Sequence, residues 1–359
     1  MRLRLGVVGV GHLGQAHARI LAGLPEVKLV GVVDTNPAQA QTVADRHHTR
    51  VFADHRELAG HVDAACVVVP TTGHHAVACD FLSRGIPVLV EKPLTPTVEQ
   101  ANQLVELSHR NSTILQVGHI ERFNPAFEEL RKRPIHPKFI ECERHGTFTG
   151  RSTDIGAVLD LMIHDLDLLL DLVASPVVDV SAVGAAVFGG HEDMVNARLR
   201  FASGCVAHLT ASRMSPNAKR KLRIWAGEGY AGIDFVSRRL TLVQPSDELR
   251  HRCQDFTSFD PSRREALQDQ VFTRYLQTLN LDCNHGDQLM AELEHFIHCV
   301  RTKSRPRVAG EDGRDAVVLA ARVLESMRRH KWENRDGGPT GPHELPRPAG
   351  WLFGVNDAA

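Results

Sequence analysis

The sequence predicts two joined units. The first is an α/β domain whose parallel sheet carries helices on both faces. The second is an α+β domain around a mainly antiparallel sheet. Three observations carry this prediction. Short β-branched runs alternate with helical stretches through the first third of the chain. Near Arg122 the alternation stops and strands begin to follow one another directly. A glycine-rich turn, Gly9-x-Gly11-x-x-Gly14, joins the first strand to the first helix.

Taken in order, residues 3–8 form an apolar strand and 15–23 a helix. The same alternation continues with a strand at 28–33, a helix at 37–47, a strand at 64–69 and a helix at 76–83. A strand at 88–90, a helix at 97–110 and a strand at 114–117 complete it. Strands that are apolar throughout and separated by helices belong to βαβ units in a parallel sheet buried on both faces. Beyond Arg122 come a helix at 125–132, a strand at 138–142 and a helix at about 158–173. Five strands then follow without intervening helices, at 177–187, 194–201, 206–212, 221–227 and 240–244. Such a run closes most simply by antiparallel pairing. Helices return at 288–301 and 313–329, and from Asn334 repeated Pro and Gly indicate an irregular tail.

Composition narrows the function. A chain of 359 residues, 42% hydrophobic and 24% charged, is ordinary globular material with room for about two domains. With 42 Lys+Arg against 43 Asp+Glu the net charge is -1, which argues against a general nucleic-acid binder. The 7 Cys include no CxxC, so neither a disulfide scaffold nor a zinc ribbon is expected, and reduced thiols in the cytoplasm fit better. The N-terminus runs straight into a strand, with no signal-peptide pattern. The most apolar stretch, 166–190, contains Asp167, Asp171, Pro176 and Asp179, so no membrane span is expected.

Three clusters could carry chemistry. In the first, glycine permits the tight turn, the approach of a pyrophosphate to the backbone, and close helix–strand packing. His12, Leu13 and Gly14 open the helix, whose N–H groups and dipole favour an anion. Asp34 closes the second strand about 20 residues after Gly14, the spacing of an acid that binds ribose hydroxyls and repels a 2′-phosphate. Thr35, Asn36 and Pro37 follow it rather than a basic residue, which favours NAD over NADP. The second cluster is Glu91-Lys92-Pro93 after the strand at 88–90, at a strand C-terminus where such sheets bind ligands. Lys92 could stabilise a developing alkoxide, or simply join a loop salt bridge. In the third, Asp160 and His164 stand at i and i+4, one helix face. His164 suits a general base with Asp160 orienting it; the plain alternative is a surface salt-bridge pattern.

These pieces occur in one order: GVVGVGHLGQAH, VVDTNP, VPTTGHH, GIPVLVEKPL and the Asp–His helix. Together they resemble the glucose–fructose oxidoreductase / inositol dehydrogenase (Gfo/Idh/MocA) family over residues 3–330. The resemblance implies a Rossmann domain followed by an α+β domain with a large, mainly antiparallel, open-faced sheet. It implies an NAD-binding domain at 1–121, a substrate-binding and oligomerisation domain at 122–310, a helix returning to the first domain at 311–332, and a tail at 333–359. It implies catalysis by Lys92, Asp160 and His164, with Glu91, Lys92, Thr71 and His74 at the cofactor. An exposed sheet face implies a homodimer or homotetramer.

The segments 118–125 and 159–165 further resemble the UDP-N-acetylglucosamine 3-dehydrogenase branch of that family. Its products are 3-keto nucleotide sugars that a partner aminotransferase takes up in lipid A precursor synthesis. Met162 stands where many family members carry Gly, and it is expected to shape the pocket floor. His119, Arg122, Asn124 and Arg151 are the further substrate candidates. An interdomain salt bridge is the alternative for Arg122. Arg144 and His145 could face a diphosphate, or form a solvated basic loop. Another polyol such as myo-inositol, or a non-catalytic NAD-sensing role, are the rival readings. No metal is expected: His74-His75 lacks a third ligand, and His295-x-x-His298 resembles a surface pattern.

Overall fold

A computed structural model describes residues 2–148, 150, 154–251, 269–333 and 335–346. The first unit contains β1 (Leu3–Val8), α1 (His12–Gly23), β2 (Val27–Val33), α2 (Pro37–Arg46), β3 (Arg50–Val51) and α3 (His55–Ala59). It continues with β4 (Ala64–Val67), α4 (Thr71–Leu82), β5 (Val88–Glu91), α5 (Val98–Arg110) and β6 (Leu115–Gly118). The six strands are all parallel, in the order β3-β2-β1-β4-β5-β6. Every residue of β4, β5 and β6 is buried, as a sheet covered on both faces requires. The order reverses beside β1, so the ends of β1, β2, β4 and β5 open into one crevice.

Two elements of this unit carry no sequence signal. β3 has two residues and α3 five, too short for periodicity to register. Asp54 starts α3 by accepting the Arg56 N–H at 2.6 Å. Helix α4 begins at Thr71, five residues before the expected start, with Pro70 at its N-cap.

The second unit contains α6 (Pro125–Arg131), β7 (Pro137–Thr147), α7 (Ile163–Val173), β8 (Val177–Ala185), β9 (Met194–Phe201), β10 (Val206–Ser212) and β11 (Met214–Ala226). Then follow β12 (Gly229–Asp234), β13 (Arg239–Pro245), α8 (Asp247–Arg250), β14 (Leu276–Asp282), α9 (Gln288–Thr302) and α10 (Gly310–Arg328). Eight strands pair in the order β14-β13-β12-β11-β7-β10-β9-β8, all antiparallel except β7 with β10. Alternation is plain in β9, where every second residue is buried. β12 and β14 were not expected: β12 holds two glycines, and β14 is an edge strand whose residues are mostly exposed.

Two differences from the sequence reading bear on the site. The helix expected at 158–173 is not uniform: Val158–Met162 is a π turn, and α7 starts only at Ile163. Helix α9, assigned by sequence to the 122–310 domain, instead packs on the first sheet. Its Leu293, Phe296 and Ile297 share a core with Leu5, Val7 and Leu89. Helix α10 runs between α5, α7 and β8, joining the units. The described part of the tail is irregular but tied down: Ala186 N donates to Pro342 O at 2.9 Å and Trp332 Nε1 to Gly341 O at 2.8 Å. Among the described residues no helix is long and apolar enough to cross a membrane.

Candidate active site

The turn after β1 is built by steric exclusion. Gly9 has φ +87°, and a Cβ there would lie 2.5 Å from the Val68 carbonyl oxygen. A Cβ on Gly14 would lie 1.9 Å from Gly9 O, so α1 can approach its own turn only with glycine. At Gly11 a Cβ would meet nothing within 4 Å, so the glycine keeps open space there. Helix α1 has no side-chain cap, and His12 and Leu13 are exposed on its first turn. Asp34 is held across the crevice: Oδ2 accepts Val10 N–H at 2.8 Å and Oδ1 accepts Asn36 N–H at 2.9 Å. An uncapped helix start with clear backbone and an oriented acid fits a dinucleotide, its pyrophosphate at Gly9–Gly14 and a ribose at Asp34.

At the end of β5, Lys92 turns into the second unit. Its Nζ donates to the Asp160 carbonyl oxygen at 2.8 Å and to Asp160 Oδ1 at 3.2 Å. This corrects the sequence reading of Asp160 as the partner of His164. In a regular α-helix residues four apart share a face, but the π turn Val158–Met162 alters the spacing between these two. Glu192 helps hold that turn, with Oε1 accepting Val158 N–H at 2.9 Å.

His164 is half-buried one turn further on, with Nδ1 buried and unpartnered among the described residues. Burial pushes its imidazole well below the ordinary histidine range, helped by the cations Lys92 and Arg144. That direction favours the neutral imidazole. His119 meets it edge-on at 6.4 Å between ring centroids. The His119 ring is itself buried with neither nitrogen partnered among the described residues, and burial lowers its proton affinity too.

Other candidates are placed differently. Glu91 is 8% exposed and turns inward, its Oε1 3.0 Å from His17 Nε2. Burial pushes the Glu91 carboxyl up, but the His17 hydrogen bond and the His17 and Lys92 charges outweigh it and hold it low. It therefore anchors the loop rather than facing the crevice. His74 is also buried, its Nδ1 2.8 Å from Pro93 O and Nε2 2.9 Å from Val69 O. It straps two crevice loops together, and Thr71 lies buried at the start of α4 beside it.

Arg122 is buried, and its guanidinium is taken up by carboxylates of α7. It makes a bidentate pair with Asp167 at 2.7 and 2.8 Å and another ion pair with Asp171 at 2.7 Å. Asn124 caps α6 through Ala126 N–H and bonds Glu121 and Gln288. Met162 is 0% exposed in the core, so it cannot form a pocket floor. Arg144 is buried between Asp165 and Glu121, which excludes it from a solvated loop. Arg151 lies outside the described residues.

Sequence reasoning gave His17 no role and read Glu292, beside His295 and His298, as part of a surface pattern, whereas the structure buries it. His17 was visible in the GHLGQAH segment, five residues into the sequence after His12, but its partner Glu91 is distant in the chain. Glu292 is 0% exposed on α9, and neither carboxyl oxygen has a partner among the described residues. Nothing local marks that burial.

Comparison with known proteins gives the family. Residues 3–119 match the family model for the oxidoreductase family with an NAD-binding Rossmann fold, GFO_IDH_MocA. Residues 118–231 match the GFO/IDH/MocA C-terminal domain. The chain belongs to the Gfo/Idh/MocA oxidoreductase family. It is thus an NAD-dependent dehydrogenase with that family's two-domain fold. A UDP-N-acetylglucosamine 3-dehydrogenase of Acidithiobacillus ferrooxidans is 35% identical over 324 residues, covering 90% of this chain and 96% of that one. A solved structure of that protein superposes with TM-score 0.79 at 33% identity, covering 91% and 98% of the two chains. An inositol 2-dehydrogenase of Rhizobium meliloti is 25% identical and covers 91% of this chain and 97% of its own.

Proposed function

We propose that this Gfo/Idh/MocA member oxidises the C3 hydroxyl of UDP-N-acetylglucosamine to a ketone. The observation that carries the chemistry is the Lys92–Asp160 pair beside the neutral His164, at the C-terminal end of β5. Substrate choice is supported by the 35% identity to the nucleotide-sugar enzyme, against 25% to the inositol enzyme.

His164 takes the hydroxyl proton, and its neutrality leaves the nitrogen lone pair free for that. Lys92 donates a hydrogen bond to the reacting oxygen and stabilises its developing charge. Asp160 positions the Lys92 ammonium, and Glu91 with His17 fixes the backbone from which it projects. Bound NAD supplies the hydride acceptor. Asp34 holds its ribose and selects against a 2′-phosphate.

An aminotransferase acting on the keto product is the expected neighbour in lipid A precursor synthesis. A homodimer or homotetramer, with the exposed face of the second sheet covered, and a cytoplasmic location complete the reading. The test is NADH absorbance from the purified protein with NAD and a panel of UDP-N-acetylglucosamine, its uronate, free hexoses and myo-inositol. A glutamate-dependent 3-aminotransferase is added to draw off ketone. Signal confined to UDP-N-acetylglucosamine is expected. Signal from myo-inositol alone moves the substrate to the polyols, and NAD binding without turnover supports a sensor.

A further inference from the structure

The ladder between β7 and β11 places Arg220 opposite Arg144, Leu222 opposite Cys142 and Ile224 opposite Ile140. Side chains alternate along a strand, so Arg220, Leu222 and Ile224 share one face with Arg144. That face looks toward α7, because Arg144 reaches Asp165 on that helix at 2.8 Å. Leu222 and Ile224 are buried there, and Arg220 is exposed where the cover ends.

The other cations of this strand are paired. On the opposite face Lys219 reaches Glu143 at 2.7 Å, Lys221 reaches Asp234 at 3.6 Å and Arg223 reaches Glu141 at 3.3 Å. On the inner face Arg144 is compensated by Glu121 and Asp165. Among the described residues Arg220 alone of these has no carboxylate partner. Arg144 opposite it is already compensated by two carboxylates, so the exposed Arg220 guanidinium keeps its donors for a ligand at the edge of this face. Its field extends into the catalytic centre, acting on both His164 and Asp165.

We propose that Arg220 binds a phosphate of the sugar nucleotide, anchoring the diphosphate while the sugar ring reaches His164 and Lys92. The inference rests on the nucleotide-sugar reading above and adds the residue that selects for it. A guanidinium offers a planar fork of donors suited to phosphate oxygens, and it stays charged throughout the working pH range. A neutral polyol has no use for this charge.

Calorimetric titration of the NAD-saturated full chain tests it, with UDP and uridine as probes. Wild type is expected to bind UDP more tightly than uridine. Arg220→Gln should weaken UDP about 10- to 100-fold, the range for a hydrogen bond to a charged group, and leave uridine unchanged. Lys221→Gln, on the other face, should keep UDP affinity within about twofold of wild type. Arg220→Lys keeps the charge and loses the fork, so its loss should be smaller than that of Gln. Arg220 has no carboxylate partner among the described residues, and retained NAD affinity checks that both variants fold. If wild type separates UDP from uridine but both Arg220 variants match it, the inference is overturned and the nucleotide-sugar reading stands. If wild type binds UDP no better than uridine, the nucleotide-sugar reading itself fails.

Discussion

Lys92 and Asp160 meet across the domain crevice, the ammonium donating to the backbone carbonyl at 2.8 Å and to the carboxylate at 3.2 Å. The contact joins the end of β5 to the π turn before α7, so two sequence-distant motifs act as one site. It also divides the labour. In the proposed mechanism His164 is the base and Lys92 the stabilising cation, while Asp160 bonds Lys92.

Lys92→Ala and His164→Ala are each expected to lower kcat by at least about 100-fold, the low end of general acid–base contributions. NAD affinity, followed by fluorescence titration, should change little. Asp160→Asn should cost less than Lys92→Ala, because the backbone carbonyl at 2.8 Å still accepts from Nζ. An Asn variant as slow as the Lys92 variant would show that the carboxylate itself takes part in proton transfer.

The pH profile of kcat/KM reports His164. Burial, then Lys92 and Arg144, lower its proton affinity in the folded protein. A base must be unprotonated to act, so a lowered value extends activity toward acid. The acidic limb should therefore lie below the ordinary histidine pKa of about 6.5. A limb at or above that value contradicts the assignment.

The proposed role of Asp34 is to hold the NAD ribose and exclude a 2′-phosphate. Its two oxygens are fixed by Val10 and Asn36 N–H groups, which aim the charge into the crevice. Asp34→Ala should weaken NAD by roughly 10-fold or more, for loss of a charged hydrogen-bond acceptor. It should also bring NADP affinity closer to that of NAD. Titration with both cofactors measures this, and an unchanged NAD/NADP ratio would rule the role out.

Arg122 distinguishes a brace from a substrate contact. It is buried against Asp167 and Asp171, so removing it leaves charges without their partner. Arg122→Met should lower stability by about 3–5 kcal/mol in urea unfolding, the usual cost of breaking a buried pair. KM of the protein that remains folded should stay near wild type. A raised KM with unchanged stability would return Arg122 to the substrate site.

Glu292 should give stability a pH slope. Burial first, then the neighbouring Glu91 and Asp167 charges, raise its carboxyl well above the ordinary value. The unfolded chain ionises it above about pH 4.3, while the folded chain keeps the proton. Stability is therefore lost as pH rises from there toward the folded value, at about 1.4 kcal/mol per pH unit. Glu292→Gln, neutral at every pH, should melt higher than wild type at pH 7, with the gap closing toward pH 4. Thermal melts across that range decide it; a gap independent of pH would show Glu292 to be ionised in the fold.

Much was legible in the sequence because it is local. The glycine turn is written in adjacent residues, since only glycine tolerates φ +87° at position 9 and a 1.9 Å approach at position 14. Asp34, Lys92 and His164 were readable as strand-end and helix residues of familiar spacing. What the sequence could not show were pairings between distant segments. The i, i+4 spacing of Asp160 and His164 suggested one helix face, and the π turn redirected Asp160 to Lys92. Arg122, Asn124 and Met162 carry chemistry or bulk that suits a pocket, yet packing between the units buried all three. Arg220 lies in a run of basic residues that looks uniformly solvated. Only the β7–β11 register separates it from its neighbours, because strand alternation turns it alone of the run toward the catalytic face. Backbone conformation and periodicity are short-range properties, and the sequence determined them. Partners, burial and the charge felt at each site depend on which segments meet, and the tertiary structure decided those.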